Sequence, residues 1–564
     1  MSSDNAKGIK KGLTNYGDPE FSVYIRKAFF KAMGYGDEEL ERPIIGIINT
    51  FSGFNSCHHN FADLIEAVKR GVLSQGGLPI EFPTISLGEM FTAPTTMMFR
   101  NLMAMDTEEM IRAQPMDGVV LLGGCDKTVP AQLMGAASVD IPAICLVAGP
   151  MITGDYRGEP LGACTDCRRF WREYRAGNID KGEIEEIEGR LCASTGTCMV
   201  MGTASTMAAM AETLGVMLPG GAAIPAVMAE RRRQAEATGS TIVSMIRKQL
   251  RPSKILSRKS FENALRVLMA IGGSTNAVIH LTAIARRLNI ELSLDDFNQI
   301  SDETPVLVNV RPSGQYYMED FWKAGGVPVV MKALEDFLHS DALTALGSTV
   351  GENLSGVPQP PAWQDVISEK DNPLFGTGSL VCLFGNLAPN GAVIKRSAAS
   401  SNLLTHRGPA VVFKSLEDLH NRIDSPDLEV TKDHVMVLQN AGPIGGPGMP
   451  EAGYLPIPKK LLQTGVKDMV RISDARMSGT AFGAVVLHVS PEAAVGGALA
   501  LVQDGDFIEL DVPNKRLELL VYAEVLAKRR DNLTLPTPHF DRGYGKLFID
   551  HVEQAHLGCD FDFL

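Results

Sequence analysis

Residues 117–150 read DGVVLLGGCDKTVPAQLMGAASVDIPAICLVAGP, and this stretch decides the fold class. DGVVLLGG and IPAICLVAGP are short apolar runs typical of buried strands, and VPAQLMGAASV between them favours a helix. A strand, a helix and a second strand in this order form a β-α-β crossover, which joins parallel strands. The segment therefore predicts an α/β fold with a parallel sheet covered by helices.

The sequence before and after this segment extends the same pattern. PIIGIINT at 43–50 reads as a buried strand, and FADLIEAVKRGVL at 61–73 follows it with apolar residues at helical spacing. Helical patterns dominate from about 198 to 345. We therefore predict an N-terminal α/β/α domain over 1–355.

The composition changes at GENLSGVPQPPAWQD, residues 351–365, where three prolines interrupt a segment with no clear period. Many short β-type runs separated by turns follow it. Such runs indicate an antiparallel or mixed barrel or sandwich, and we predict a C-terminal β-barrel-like domain over 375–564. The runs are GAVIK (391–395), GPAVVFKS (408–415), DHVMVLQN (433–440), DMVRIS (468–473), GAVVLHVS (483–490), DFIELDV (506–512) and RLELLVY (516–522).

The overall composition excludes several function classes. The chain has 564 residues, 45% hydrophobic and 21% charged, with a formal net charge of −13. This acidic balance argues against a nucleic-acid partner, and we interpret the basic clusters Arg231 to Arg233 and Arg247 to Lys259 as solvated helix faces.

No apolar run approaches the length of a bilayer span, so we expect no membrane association. MSSDNAKGIKKGL lacks the apolar region of a signal peptide and predicts a cytoplasmic protein, in which the nine cysteines would not form disulfides.

Three cysteines occupy Gly-rich or polar loops next to predicted elements. Cys57 follows the first strand, Cys125 follows the strand DGVVLLGG, and Cys198 is predicted to open a helix rich in small residues. Ligands of open α/β sheets bind beyond the carboxyl ends of the strands, which is where Cys57 and Cys125 are expected. The long spacings do not match a zinc ribbon. Taken singly, a cysteine is more often a small buried hydrophobic residue than a ligand, so the residues alone leave a metal-ligand role open.

Oxygen-bearing side chains lie on neighbouring loops. Asp126 and Lys127 follow Cys125 directly, Glu89 ends the loop SLGEM, and Glu451 lies in GPIGGPGMPEAGYLP. Carboxylates on such loops suit a hard divalent cation, although solvated loop carboxylates are the simpler alternative. Ser478 in RISDARMSGTAFG could be a nucleophile, a base or, most commonly for such a residue, a helix N-cap. The absence of a G-x-S-x-G elbow gives no support for a hydrolase triad.

Eight ordered segments, running from about residue 40 to the C-terminus, resemble the dihydroxyacid and sugar-acid dehydratases that carry an iron-sulfur cluster. They are NSCHHN, GGCDKTVP, TGTCMVMGTASTMA, GGSTNAVIHL, GNLAPNGAVIK, GGPGMPEAGYLP, DARMSGT and HVSPEAAVGGALALVQDGD. GACTDCRRFWREYRAG and PEAGYLPIPKKL look like the branch that acts on aldonates such as arabinonate and xylonate. A branched-chain dihydroxyacid is the second candidate substrate.

The resemblance implies a cofactor and a role for each site residue. An N-terminal α/β domain would carry most of the site and a barrel-like domain the rest, in a homodimer or a tetramer of dimers. By this resemblance the ligands of a [2Fe-2S] cluster are Cys57, Cys125 and Cys198. The Mg²⁺ site consists of Glu89, Asp126, Lys127 and Glu451, with Lys127 carbamylated if it is to present oxygen. Ser478 matches the base, and Thr480 matches a neighbouring substrate contact.

These roles lead to a hypothesis for the mechanism. Three thiolates would leave one iron with an open position, where the C3 hydroxyl of a sugar acid such as arabinonate, xylonate or gluconate could leave as water. Mg²⁺ would hold the carboxylate and the C2 hydroxyl while Ser478 takes the C2 proton. The enol would then tautomerise to a 2-keto-3-deoxy acid.

Several residues have no clear role at this level. A non-catalytic iron-sulfur redox or sensor protein is the alternative from another class, and it would need a fourth ligand such as His58, His59 or Cys192. We interpret the C-x-x-C pair as structural or incidental and expect the tail histidines not to reach the site. The C-x-x-C pair is Cys164 and Cys167, and the tail histidines are His551 and His556. We interpret the remaining cysteines as core or spare thiols; they are Cys145, Cys192, Cys382 and Cys559.

Overall fold

A four-stranded parallel sheet forms the centre of the N-terminal part, as the sequence predicts. The computed structural model describes residues 7–13 and 16–564. The strands have the order β2-β1-β3-β4, and every neighbouring pair is parallel. They are β1 Ile44–Asn49, β2 Leu78–Pro83, β3 Gly118–Gly123 and β4 Ala143–Val147.

Helices pack around this sheet and supply most of the N-terminal core. The first eight are α1 Pro19–Ala32, α2 Phe61–Ser74, α3 Thr96–Ala113, α4 Thr128–Val139, α5 Thr165–Ala176, α6 Lys181–Leu191, α7 Thr203–Thr213 and α8 Ala229–Lys248. The next seven are α9 Pro252–Ile255, α10 Arg258–Ala270, α11 Asn276–Arg286, α12 Leu294–Glu303, α13 Met318–Lys323, α14 Gly326–Ala333 and α15 Val350–Leu354. A small hairpin, β5 Gly154–Tyr156 with β6 Glu159–Leu161, precedes α5.

Helices α2 and α8 pack unusually closely because each carries a glycine at the contact. A Cβ atom on Gly71 would lie 1.9 Å from the carbonyl oxygen of Glu236, and one on Gly239 would lie 2.2 Å from that of Val68. Any larger side chain would separate the two backbones. The loop from β1 to α2, which carries Cys57, therefore ends at a helix that is packed closely against α8.

The C-terminal part is a closed barrel of eight strands, which confirms the predicted barrel-like architecture. Its order is β10-β11-β12-β8-β7-β14-β13-β9, with both parallel and antiparallel pairs. All seven predicted runs overlap a strand, and the eighth strand is β7, which the sequence analysis missed. The strands are β7 Leu380–Gly385, β8 Ala388–Lys395, β9 Thr405–Phe413, β10 Val435–Leu438, β11 Arg471–Ser473, β12 Val485–Leu487, β13 Phe507–Asp511 and β14 Arg516–Leu519; the helices are α16 Leu416–Arg422, α17 Lys459–Gln463, α18 Ala523–Asp531 and α19 Gly543–His551.

Two expectations about surface and core need comment. The interpretation of Arg231 as a solvated residue is wrong, because Arg231 is fully buried and its guanidinium donates to the carbonyl oxygens of Gly221 and Ile224. Cys145, Cys382 and Cys559 are buried, as predicted for core thiols. Part of MSSDNAKGIKKGL, residues 1–6, lies outside the described residues. Within 7–13 and 16–564, no helix combines the length and apolar character needed to cross a bilayer.

Candidate functional site

One pocket gathers nearly all of the predicted site residues at the carboxyl ends of β1 and β3. It is lined by residues of the N-terminal part and by residues of the loops that follow β10 and β11 of the barrel. This location agrees with the rule that open parallel sheets bind ligands beyond the ends of their strands. The predicted residues in the lining are Cys57, Glu89, Cys125, Asp126, Cys198, Glu451, Ser478 and Thr480.

Cys125 is positioned by a buried histidine. The backbone N–H of Cys125 donates to Nε2 of His58 at 2.9 Å, and Nδ1 of His58 lies 2.8 Å from the carbonyl oxygen of Thr50. Burial lowers the pKa of His58 to about 4, so the ring is neutral and can accept at one nitrogen while it donates from the other. His58 therefore orients the Cys125 loop and does not line the pocket, and His59 is exposed outside it.

Five cysteines line the pocket, two more than the sequence analysis assigned. The additional ones are Cys164 and Cys192, and Sγ of Cys164 lies 3.7 Å from Sγ of Cys198. Cys198 lies in the loop before α7, which begins at Thr203, and does not open that helix as predicted. The C-x-x-C motif was a signal that could have placed Cys164 here, whereas the sequence analysis considers Cys192 only as a fourth ligand in the non-catalytic alternative.

Two thiols of the pocket, those of Cys125 and Cys198, are costly to ionise as they stand. Hydrogen bonding with Cys57, together with burial, raises the pKa of Cys125 well above its ordinary value. Contact with Cys164 and burial do the same for Cys198. Thiolates crowded in a poorly solvated site become stable when they bind a metal, and soft sulfur ligands suit iron-sulfur clusters. The donor chemistry therefore fits a cluster held by Cys57, Cys125 and Cys198.

A second group of side chains at the pocket is charged, with Asp126 and Lys127 buried and Glu89 and Glu451 partly buried. The ammonium group of Lys127, which is 0% exposed, contacts Asp126 Oδ2 and lies 3.5 Å from Glu89 Oε2. Burial disfavours the charged form of Asp126, but the adjacent charge of Lys127 outweighs it and lowers the pKa of this carboxyl. Burial and the nearby charge of Glu89 raise the pKa of Glu451. Carboxylates forced together in this way gain from a shared cation.

Arg476, which the sequence analysis missed, joins this carboxylate group to the barrel. Its Nη1 lies 3.3 Å from Glu451 Oε1, and its Nη2 donates to Thr95 Oγ1 at 3.1 Å. Thr95 in turn donates to Glu89 Oε1 at 2.8 Å. Arg476 thus couples carboxylates from the two halves of the chain. Within the described residues no three Cys, His, Asp or Glu side chains form a preassembled metal site, so the fit to a cation rests on the donor types and their shared pocket.

Ser478 and Thr480 lie in the loop between β11 and β12, with Oγ and Oγ1 2.8 Å apart. Ser478 caps no helix of the described chain, so the capping interpretation is wrong. The N-terminal part holds this loop: Asn276 Nδ2 donates to the Met477 carbonyl oxygen at 3.2 Å, and Thr165 Oγ1 donates to that of Thr480 at 3.0 Å. Both hydroxyls therefore face the cysteines and carboxylates from the barrel side of the pocket.

The tail histidines do not line the pocket, as the sequence analysis expected. His551 is half-buried and its Nδ1 lies 3.0 Å from Asp562 Oδ1, and Nδ1 of His556 lies 2.8 Å from Ser490 Oγ. The tail is held instead through Arg100, a fully buried side chain that donates to the carbonyl oxygens of Gly558 and Cys559.

The rest of the pocket wall includes apolar side chains. Phe54, Met90 and Phe91 line it and are largely exposed, at 74%, 72% and 71%. The rings of Phe54 and Phe91 have centroids 6.4 Å apart. Their place among the lining residues could not be read from the sequence, where they look like ordinary loop residues.

Comparison with known proteins gives a consistent result along the whole chain. The dihydroxy-acid/6-phosphogluconate dehydratase N-terminal profile matches residues 42–353, and the corresponding C-terminal profile matches 365–559. The chain is 50% identical to L-arabinonate dehydratase of Rhizobium leguminosarum bv. trifolii over 97% of this chain and 95% of the relative. It is 48% identical to 6-deoxy-6-sulfo-D-gluconate dehydratase of Pseudomonas putida, covering 94% and 91%. Identity to dihydroxy-acid dehydratase of Halothermothrix orenii is 40%, covering 94% and 97%.

Proposed function

Because this chain belongs to the dihydroxy-acid/6-phosphogluconate dehydratase family, whose members are hydro-lyases, we propose that it removes water from a sugar acid. The substrate is an aldonate such as arabinonate, xylonate or gluconate, and the product is a 2-keto-3-deoxy acid. The observation that carries this choice is the higher identity to relatives named for sugar acids, 48–50%, than to those named dihydroxy-acid dehydratase, 40–41%. Branched-chain dihydroxyacid dehydration is less favoured for the same reason.

We further propose two metal groups in the pocket. Cys57, Cys125 and Cys198 hold a [2Fe-2S] cluster, and Glu89, Asp126 and Glu451 hold Mg²⁺ together with Lys127 in a carbamylated form. Carbamylation replaces an ammonium by an oxygen donor, which removes the positive charge that would otherwise repel the cation. When bound, the two groups supply electrophilic centres for the C3 hydroxyl and for the carboxylate and C2 hydroxyl.

The proton chemistry belongs to the loop between β11 and β12. In our proposal Ser478 Oγ receives the C2 proton, and Thr480 Oγ1, 2.8 Å away, donates a hydrogen bond to that oxygen while it is deprotonated. A hydroxyl is a weak base, so this role requires positive charge nearby when substrate is bound. Arg476 contributes by holding Glu451 and, through Thr95, Glu89 in place.

Other expectations from the sequence stay predictions. They are the division into domains 1–355 and 375–564, the homodimer or tetramer, and the cytoplasmic location. Light scattering of the purified protein measures the oligomeric state directly.

The decisive experiment is an assay of the anaerobically purified protein loaded with iron, sulfide and Mg²⁺. Keto-acid formation is compared for arabinonate, xylonate, gluconate and 2,3-dihydroxyisovalerate. Faster turnover of any aldonate supports the sugar-acid assignment. Faster turnover of dihydroxyisovalerate supports the branched-chain dihydroxyacid as the substrate. If no substrate gives a product although the protein carries a full iron load, the result supports a non-catalytic iron-sulfur protein.

A further inference from the structure

Three cysteine thiols meet at the edge of the pocket, and only one of them has a role in the proposed function. Sγ of Cys164 lies 3.7 Å from Sγ of Cys198. Cys167 donates from its thiol to the carbonyl oxygen of Cys164 at 2.6 Å and lies three residues after it, in the first turn of α5. Cys164 is therefore in contact with both of the others.

The turn that carries Cys164 and Cys167 is held firmly. Cys164 is the N-cap residue of α5, and Cys167 lies in the first turn of that helix. Between them Asp166, fully buried, accepts from the N–H of Gly162 at 2.8 Å and from the hydroxyl of Tyr317 at 2.8 Å. Thr165 binds the Thr480 carbonyl oxygen from the same turn. These contacts fix the C-x-x-C pair against Cys198.

A pair of cysteines at the start of a helix is a favourable place for thiol–disulfide chemistry. Residues three apart on a helix are neighbours on its surface, so the Cys164 and Cys167 side chains can approach each other. Exchange of a disulfide requires a third thiol that can reach one of its two sulfur atoms. Cys167 meets this requirement for a bond between Cys164 and Cys198.

We propose that Cys164, Cys167 and Cys198 form a thiol–disulfide exchange set. When a peroxide oxidises the cluster-free site, the set ends as a disulfide between Cys164 and Cys167, and Cys198 is left as a free thiol. The role rests on the proposed function only in that Cys198 is taken as a cluster ligand. The oxidant is a peroxide, and the reductant that completes the cycle is a dithiol.

The chemistry balances in three steps. Hydrogen peroxide oxidises the Cys164 thiol to a sulfenic acid with release of one water. The Cys198 thiol displaces the hydroxyl as a second water and forms the Cys164–Cys198 disulfide. The Cys167 thiol then attacks the Cys164 sulfur, Cys198 leaves as a thiolate and takes up the proton, and the Cys164–Cys167 disulfide remains. Two thiols have lost two electrons in total, and one peroxide has been reduced to two waters.

The exchange keeps Cys198 available as a ligand, and Cys198 is the one thiol of the set that is assigned to the cluster. Without Cys167, oxidation would end at a Cys164–Cys198 disulfide and remove a ligand. With Cys167, the oxidised protein keeps Cys57, Cys125 and Cys198 reduced. The site can then bind a new cluster before any reductant has acted.

The test uses the full-length protein stripped of iron with a chelator and kept free of oxygen. One equivalent of hydrogen peroxide is added, free thiols are alkylated, and disulfides are mapped by mass spectrometry of non-reduced peptides. We expect wild type to lose two thiols to a Cys164–Cys167 bond and to take up iron and sulfide afterwards as well as the untreated protein does. Iron content and the visible spectrum measure this uptake.

Two variants and a control separate the steps. Cys167→Ser should stop at the Cys164–Cys198 disulfide and lose iron uptake until dithiothreitol restores it. Cys164→Ser should form neither bond and should leave Cys198 open to overoxidation. Cys192→Ser, which removes an exposed thiol of the same pocket, should behave as wild type.

Other outcomes overturn the proposal. A Cys57–Cys125 bond as the main product in wild type, or Cys167→Ser protein that still takes up iron after oxidation, would each contradict the exchange set. Failure of the proposed function looks different, because untreated, fully reduced wild type would then bind no cluster while the disulfide map stayed as expected.

Discussion

Ser478 Oγ lies 2.8 Å from Thr480 Oγ1, although the backbone that carries both residues is held by the other half of the chain. Asn276 binds the carbonyl oxygen just before Ser478, and Thr165 binds that of Thr480. The proposed base is therefore positioned by contacts between the barrel and the α/β part, and its geometry depends on how they pack.

Replacing Ser478 tests the proton-transfer step. Ser478→Ala should lower kcat about 10²- to 10⁴-fold, which is the usual contribution of a general base. Iron content and the visible spectrum should not change, because Ser478 is not among the thiols that would bind the cluster. An active Ser478→Ala protein would remove the residue from this role.

Variants of Thr480 test the hydrogen bond between its hydroxyl and that of Ser478. Thr480→Val removes the hydroxyl next to Ser478 Oγ and should lower kcat about 10-fold, the value of one hydrogen bond to a charged group. Thr480→Ser keeps a hydroxyl and should recover most of the activity. Equal rates for the two variants would show that the hydrogen bond has no part in turnover.

The buried ammonium of Lys127 should stabilise the metal-free protein. Lys127→Met leaves Asp126 beside two other carboxylates without its main partner, and loss of one member of a buried ion pair costs about 3–5 kcal/mol. Urea denaturation of the metal-free variant measures the difference. Lys323→Met is the matched control, since the ion pair of Lys323 with Glu319 is half exposed and should contribute below about 1 kcal/mol. A change as small as that of the control would contradict the central place of Lys127.

Cluster binding and activity should be lost together when a ligand thiol is removed. Cys125→Ser should bind little iron and show no turnover. Cys382→Ser removes a buried thiol in strand β7 that does not line the pocket, so it should keep its iron. An unchanged visible spectrum in Cys125→Ser would count against ligation by this residue.

Lys395 gives a prediction about pH and stability. It is 1% exposed, its Nζ has no hydrogen-bond partner in the described structure, and burial lowers its pKa to about 7. Between pH 7 and 10.5 the unfolded chain therefore binds more protons at this site than the folded one, so the contribution of Lys395 to stability rises with pH.

The substitution Lys395→Met should remove that dependence. At pH 7 the variant should be more stable than wild type by about 1–4 kcal/mol, the gain seen when a buried charge is replaced by an apolar side chain of similar size. The advantage should shrink towards pH 10. Chemical denaturation at several pH values measures it, and a difference that stays constant with pH would refute the buried neutral lysine.

Local patterns were enough for most of the fold because they report which segments bury apolar surface. The β-α-β segment at 117–150 forms β3, α4 and β4 as predicted, and seven of the barrel strands overlap predicted runs. Strand β7 was missed although SLVCLFG, residues 379–385, is an apolar run like those predicted as buried strands. Its pairing with β8 and β14 closes the barrel, and pairing partners far apart in sequence leave no local signal.

The candidate site could be predicted only in part. Cys57, Glu89 and Cys125 follow N-terminal strands, so their meeting at one edge of the sheet follows from the parallel topology. Glu451, Ser478 and Thr480 were placed with them only through resemblance to a family. Arg476 carried no signal, and Cys192 was named only as a possible fourth ligand of the non-catalytic alternative, because a charged or small residue in a loop has no period that reveals its neighbours.

The sequence by itself determined the fold class, the family and the identity of the residues that could do chemistry, since these depend on local composition and ordered motifs. Only the tertiary structure decided that Cys164 lies 3.7 Å from Cys198, that His58 supports Cys125, and that Arg476 joins Glu451 to the loop of Glu89. These relationships join segments far apart along the chain. They arise where folding buries polar groups that must then find partners, and burial of that kind is a property of the assembled fold.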